Sequence, residues 1–263
     1  MINKINAQKN TNPIVTIIGG ANGIGKASAI LMKQMGWKVA VADVNKNEAD
    51  KVAIKLKSKS YYIDVKDEKS IETASKSIEV EMGPVHSLVV CAAIFQDIKP
   101  SEKLDYNEWN QIINTNLSGT FLANKVFAKN MLKRKIGSIV NIASIAALGS
   151  MPVEAYGTSK AGVVHLTKNL AGEWGRSGIR VNCISPGSTL VDRVQKRLKT
   201  NRYAKNPANF TALGKMLEPN EVADVIEFLC SKRSSGITGT NIVVDAGWHI
   251  ASSWAQFGGV RER

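Results

Sequence analysis

The chain has 263 residues, 44% of them hydrophobic and 22% charged, with three cysteines and three histidines. That length suits one large domain with a sizeable core, and the few scattered cysteines leave no disulfide framework or cysteine–histidine metal site. Lys and Arg outnumber Asp and Glu, 35 to 22, yet they are spread along the chain without aromatic interleaving. A solvated basic surface therefore explains them better than a nucleic-acid groove.

From the N-terminus, MINKINAQKNTNP lacks the apolar core of a secretory signal. No later run reaches the roughly 20 apolar residues of a membrane span, so no membrane partner and a cytoplasmic protein are expected. A first strand is predicted over Ile14–Ile18, followed by GGANGIG (19–25) and a helix bearing Ile24, Ala27 and Leu31. Gly19, Gly23 and Gly25 would let the backbone turn sharply and approach a pyrophosphate, which the free N–H groups of the helix N-terminus would meet. The spacing is GxxxGxG, not the commoner GxGxxG. A purely structural turn could use the same glycines; their position between strand and helix favours a phosphate cradle.

A second strand, Lys38–Ala42, runs into Asp43, 24 residues after Gly19. A carboxylate there can accept hydrogen bonds from both adenosine ribose hydroxyls and would repel a 2′-phosphate. Asn22 and Val44 offer such a phosphate no counter-charge, so NAD is expected over NADP. Asp43 could instead cap a helix starting near Asn45. The third strand, Ser60–Ile63, leads to Asp64, and the fourth, Ser87–Cys91, ends in the apolar stretch LVVCAA (88–93).

After Asp105 a helical stripe of Trp109, Ile112 and Ile113 reaches Asn116, a polar side chain that must find partners if buried. The fifth strand, Ser138–Ile142, is closed by Ser144. Tyr156 and Lys160 follow four residues apart, on one face of a helix whose apolar stripe is Val163, Leu166, Leu170 and Trp174. The sixth strand, Arg180–Ile184, runs into Pro186 and Gly187. Residues 188–216 carry no clear apolar period and are expected to cover the substrate as a lid. Arg193, Lys196, Arg197, Lys199, Arg202 and Lys205 make that segment basic, opposed only by Asp192. A carboxylated or phosphorylated substrate or an acidic carrier protein would fit the charge; a solvated helix face accounts for it too.

Pro219 suits the first turn of a helix with Val222, Val225, Ile226 and Leu229 on one face, and Asn241–Val244 is the seventh strand. The tail 248–263, with Trp248, Trp254 and Phe257, is too aromatic to lie free and is expected to pack on a neighbouring subunit. Alternating strands and helices imply one domain over 1–263, a parallel sheet covered on both faces, with ligands beyond the carboxyl ends of its strands.

Taken singly, Tyr156 could be core, Lys160 surface and Ser144 a cap. Taken together with the other motifs they carry a resemblance to the short-chain dehydrogenase/reductase family, in its compact NAD(P)-dependent branch, from about Pro13 to Gly247. GGANGIG resembles the family's TGxxxGIG with Ile18 in place of Thr. Asp64-Val65 matches its adenine-contacting pair, NTNLSGTF (114–121) carries its Asn at Asn116, and SIVNIAS (138–144) ends in its Ser. YGTSK (156–160) is its YxxxK, while VNCISPGS (181–188) and ITGTNIVVDAGW (237–248) match its last two strands.

The resemblance implies an α/β, Rossmann-type doubly wound sheet of seven parallel strands and an oxidoreductase acting on a small alcohol or ketone. Tyr156 would be the general acid/base, with its pKa lowered by Lys160 and by the cationic nicotinamide ring of the oxidised cofactor, and Lys160 would also hold the nicotinamide ribose. Ser144 would orient the substrate oxygen, and Asn116 would hold a water linking Lys160 to solvent. Cofactor contacts would come from Gly19, Asn22, Gly23, Ile24, Gly25, Asp43, Asp64, Val65, Cys91, Ala92, Ala93, Tyr156, Lys160, Pro186, Gly187, Ser188 and Thr189, with no metal and a homotetrameric assembly.

The family's NNAG is replaced by Val90-Cys91-Ala92-Ala93, and Val191 stands at the Thr of PGxxxT. A φ > 0 at Ala93 would be unfavourable. PGST (186–189) is similar to the dihydrodiol dehydrogenases of catechol-siderophore synthesis. Two alternatives stay open: a 3-oxoacyl-carrier-protein-type reductase, which the basic charge suits, and a catalytically silent NAD-binding protein, which the altered NNAG suits.

Overall fold

The computed structural model describes residues 12–200, 203 and 205–261. The extreme N-terminal residues and Arg202 of the basic segment lie outside the described residues. The first four strands are β1 (Ile14–Ile18), β2 (Lys38–Asp43), β3 (Lys59–Tyr62) and β4 (Val85–Val90). They are followed by β5 (Gly137–Ile142), β6 (Ile179–Pro186) and β7 (Asn241–Val244). All pair in parallel, in the order β3-β2-β1-β4-β5-β6-β7. The order reverses between β1 and β4, and that reversal opens the ligand crevice above the strand ends.

The sheet is buried on both faces, and period-two alternation assigns its side chains. Ile14 and Ile18 face one layer with α3 (Glu68–Met82), α5 (Gly119–Arg134) and α6 (Glu154–Trp174), where Ile71, Ile78, Phe127, Met131 and Leu170 complete the core. Val15 and Ile17 face the other with α1 (Gly23–Gln34), α2 (Lys46–Lys55) and α8 (Pro219–Cys230), against Met32, Val52, Val222, Ile226 and Leu229. Pro219 occupies the first turn of α8, and Glu218 and Glu221 form its capping box. The expected stripe of α6 is realised: Val163 and Leu170 are buried, Leu166 and Trp174 partly so.

Several expected boundaries shift. β3 lies one residue earlier, β6 runs on to Pro186, and β4 ends at Val90, so Cys91 has already left the strand. Its N–H still donates to the Ile18 carbonyl at 2.8 Å, prolonging the pairing by one bond. Ser144 does not close β5 but lies beyond its end at Ile142, where it opens a short turn by accepting from the Ala146 N–H. The largest correction is in 188–216. It contains a helix, α7 (Asp192–Lys199), and a turn at Pro207–Phe210. Only Val194 of α7 is buried, so its apolar stripe was too narrow to read among the charges. The base of this segment is tied to the body by a bridge between Thr189 and Leu217.

Beyond β7 the chain forms α9 (Trp248–Ala251) and a further turn, leaving Ile250, Trp254 and Phe257 exposed. Among the described residues no helix is long and apolar enough to cross a membrane, and no cluster of His, Cys, Asp or Glu could hold a metal ion.

Candidate active site

The exits of β1 and β4 meet backbone to backbone. Gly19 has φ +81°, and a Cβ there would lie 2.6 Å from the Ala92 nitrogen. Gly25 is equally confined: its Cβ would meet the Gly19 carbonyl oxygen at 2.1 Å. Asn22 precedes α1 without a side-chain capping bond, so the first N–H groups of that helix remain free. Asp43 closes the far side. Its carboxylate oxygens accept the Ala21 N–H at 3.1 Å and the Asn45 N–H at 2.9 Å. The helix-cap alternative for Asp43 fails, because Asn45 caps α2 by accepting from the Glu48 N–H.

A cavity of about 610 Å³ brings Gly19, Asn22, Asp43, Asp64, Val65, Cys91, Ala92 and Ala93 together. A close-approach glycine, an open helix N-terminus and a backbone-anchored carboxylate along one cleft fit a dinucleotide. Ala93 is absent from the left-handed residues, which are Lys57, Lys135 and Ala246 among non-glycines described, so its methyl carries no such strain. Lys66 also lines the cleft, 3.8 Å from Asp64, a basic neighbour that sequence reading missed. Burial pushes the Cys91 thiol up to about 12, making it a neutral wall and not a nucleophile. Cys183 and Cys230 are buried hydrophobes, as expected.

A second cavity, about 320 Å³, adjoins the first and is lined by Ile24, Ser144, Tyr156, Lys160 and the Pro186–Thr189 turn. Gly23 lines a further opening beside Tyr156 and Ala93. Lys160 is buried, donates to the Ile142 carbonyl at 2.7 Å, and lies 5.7 Å from the Tyr156 ring centroid. Burial lowers its pKa to about 8. Burial also raises the Tyr156 pKa, against the pull of the nearby Ser144 hydroxyl and the Arg193 charge. In the protein alone desolvation therefore dominates, and Arg193 is the charge that opposes it.

Asn116 is fully buried in a π-helical turn, Asn114–Ser118, between α4 (Tyr106–Ile113) and α5. Its amide accepts from the Ile94 N–H and donates to the Ile94 carbonyl, both at 2.9 Å, and donates to Ser159 at 3.1 Å. The side chain thus braces the loop after β4.

Sequence reading missed Gln96 and Phe95. Gln96 is fully buried; its oxygen accepts the N–H groups of Ala155 and Tyr156 at 2.8 and 3.2 Å, and its nitrogen donates to Glu154 at 2.9 Å. It caps α6 from a distant loop, because Val153 at the cap position has no acceptor. An apolar residue ahead of a strongly helical Tyr–Lys segment was the available signal. The Phe95 ring lies 4.5 Å from that of Tyr156, and the guanidiniums of Arg193 and Arg197 lie 4.0 and 4.9 Å from its centroid.

A family model described as enoyl-(acyl carrier protein) reductase matches residues 19–249. D-threitol dehydrogenase of Mycolicibacterium smegmatis is 34% identical over 90% of this chain and 93% of its own length. Cis-4-hydroxycyclohexanecarboxylate dehydrogenase of Sinomonas cyclohexanicum is 33% identical, over 89% and 96%. Among solved structures, one described as ribose-5-phosphate isomerase from Brucella melitensis 16M superposes with TM-score 0.92 at 40% identity, covering 95% of this chain and 98% of that one. ElxO with NADP bound, at 28% identity and TM-score 0.85, covers 91% and 99%. With such matches along nearly all of its length, the chain belongs to the short-chain dehydrogenase/reductase family of oxidoreductases.

Proposed function

We propose that this protein interconverts a secondary alcohol and a ketone with NAD as its preferred cofactor. The observation that carries the reading is the meeting of two clefts at Cys91 and Ala93: one suited to a dinucleotide, the other lined by Ser144, Tyr156 and Lys160. When bound, NAD supplies or takes up the hydride.

Gly19, Asn22, Gly23 and Ile24 would hold the pyrophosphate, with Gly25 allowing the tight turn. Asp43 would take the adenosine ribose, Asp64 and Val65 the adenine. The main chain of Cys91, Ala92 and Ala93 would face the ribose on the nicotinamide side, with Tyr156 and Lys160, and Pro186, Gly187, Ser188 and Thr189 would flank the nicotinamide. Burial keeps the Tyr156 phenol protonated, which readies it to give a proton to a ketone oxygen that Ser144 polarises. Lys160 would recover the proton balance beneath it. Asn116 and Gln96 are positioning residues, the first fixing Ile94 and the second fixing the start of α6.

Residues 188–216, with α7, would close over the substrate. The exposed Ile250, Trp254 and Phe257 support a homotetramer, and a monomer in sedimentation would remove that part of the reading. The NAD preference rests on Asp43, whose charge opposes a 2′-phosphate. With cyclohexanol or D-threitol as substrate, kcat/KM should be more than tenfold higher with NAD than with NADP. Comparable values would reject the preference. A basic chain and the family description also favour acyl groups on an acidic carrier as substrates; acetoacetyl thioesters outpacing all simple ketones would select that reading.

A further inference from the structure

The cavity at Tyr156 carries cations and no carboxylate. Its ionisable lining, among the described residues, is Cys91, Tyr156, Lys160, Arg193, Arg197 and Tyr203. Lys160 is committed to the Ile142 carbonyl. Arg197, only 14% exposed at its side chain, pairs with Asp97 at 3.2 Å. Arg193, one turn earlier on the same face of α7, stands at the solvent-exposed rim and has no ion pair or hydrogen bond to another described residue. Both guanidiniums pack on Phe95, and like charges so close repel unless an anion joins them. Stacking occupies the guanidinium face and leaves its N–H edge free for an oxyanion. Phe95 in turn touches Tyr156, so one aromatic ring separates the arginines from the reacting phenol.

We infer that the substrate is a ketone or secondary alcohol bearing a carboxylate, met by Arg193 and Arg197 at the α7 end of the cavity; this rests on the redox reading above. Asp97 offsets one of the two cations, leaving a single positive charge that suits a carboxylate better than a phosphate dianion. Asp192 and Asp97 line the adjoining opening, into which Arg193 and Arg197 also face, but neither carboxylate lines the walls of this cavity. Ile98, Val153 and Val194 in the walls suit a hydrocarbon body between carbonyl and carboxylate.

The test compares 4-oxocyclohexanecarboxylate with its methyl ester, following NADH oxidation. The acid should exceed the ester at least tenfold in kcat/KM, and Arg193→Ala with Arg197→Ala should bring the ratio close to one, chiefly through KM of the acid. Equal values in the unaltered protein, or a ratio that survives the double substitution, would overturn the inference. A larger advantage for dihydroxyacetone phosphate over dihydroxyacetone would overturn the choice of carboxylate. If no ketone is reduced, the redox reading fails, and calorimetry with cyclohexanecarboxylate against cyclohexanecarboxamide still decides the subsite. Binding of the acid alone, lost in the double variant, supports it; equal binding of both, or of neither, rejects it.

Discussion

The two halves of the crevice are built from different materials. Where β1 meets β4, the chain approaches itself through main-chain atoms. Gly19 lies against Ala92, and the Cys91 N–H reaches the Ile18 carbonyl. Beyond β5, the site is made of side chains with distinct chemistry: a phenol, an ammonium, a hydroxyl and two guanidiniums. A backbone surface keeps its shape under changes of side chain, provided φ angles and close approaches are preserved. A side-chain surface does not, because each group supplies a protonation or a charge that its neighbours cannot. LVVCAA can therefore lack strong polar groups and still suit a cofactor, whereas the role proposed for Tyr156 leaves it no substitute.

The largest effect should come from the side-chain half. Tyr156→Phe removes the proposed proton carrier and leaves the ring against Phe95, so turnover should fall by about 10² to 10⁴-fold. NADH affinity, measured by fluorescence titration, should stay within about twofold of the parent. Full activity in this variant would break the comparison at its strongest point.

In the backbone half, the matching probe is Gly19→Ala. Its methyl would enter a left-handed position and meet the Ala92 nitrogen at 2.6 Å, strain worth about 1–3 kcal/mol. Roughly 1.4 kcal/mol corresponds to tenfold in affinity. NADH Kd should rise more than tenfold, and the melting temperature should fall. Unchanged values for both would mean the two exits separate freely, and the backbone argument would fail.

The same division explains what the amino-acid sequence made legible. Gly19, Asp43, Tyr156 and Lys160 could be picked out as cleft residues because residue type and local spacing mark them, and the alternating apolar runs placed all seven strands within a few residues of their observed ends. Asn116 was legible as a polar residue on a buried stripe, but its partner Ile94 was not, since that contact depends on the path of the loop after β4. Gln96 was invisible for the same reason: the helix it caps begins some sixty residues later. α7 was hidden because a helix that buries Val194 alone leaves almost no period to detect.

Lys160 provides a smaller, graded test of the side-chain half. Burial sets its pKa near 8 in the folded chain, below the ordinary 10.5. Below about pH 8 the lysine is charged in both folded and unfolded chains. Between about 8 and 10.5 only the unfolded chain keeps the proton, so this group adds stability as pH rises. Function runs the other way, because the site loses the Lys160 charge over the same interval. Accordingly, kcat/KM for ketone reduction should decline by up to about tenfold per unit above pH 8, with no parallel loss in melting temperature from this group. A profile flat to pH 10 would show that the ammonium is dispensable.

The smallest effect is expected at the exit of β4. Ala93 lines the cleft shared with Gly19 and Asp43 without left-handed strain, so Ala93→Gly relieves nothing in the backbone. Removing its methyl makes the loop more flexible, at a cost of order 0.5–1 kcal/mol if the loop is ordered like an element interior. Cys91→Asn restores a polar side chain beside a contact already made by the Cys91 N–H. NADH Kd should change less than about threefold in either variant. If Ala93→Gly tightened binding tenfold, the methyl would be crowding the cofactor, and this exit would be limited by its side chains after all. The boundary between the two kinds of surface would then run through LVVCAA itself, between the strand residues that pack and the turn residues that bind.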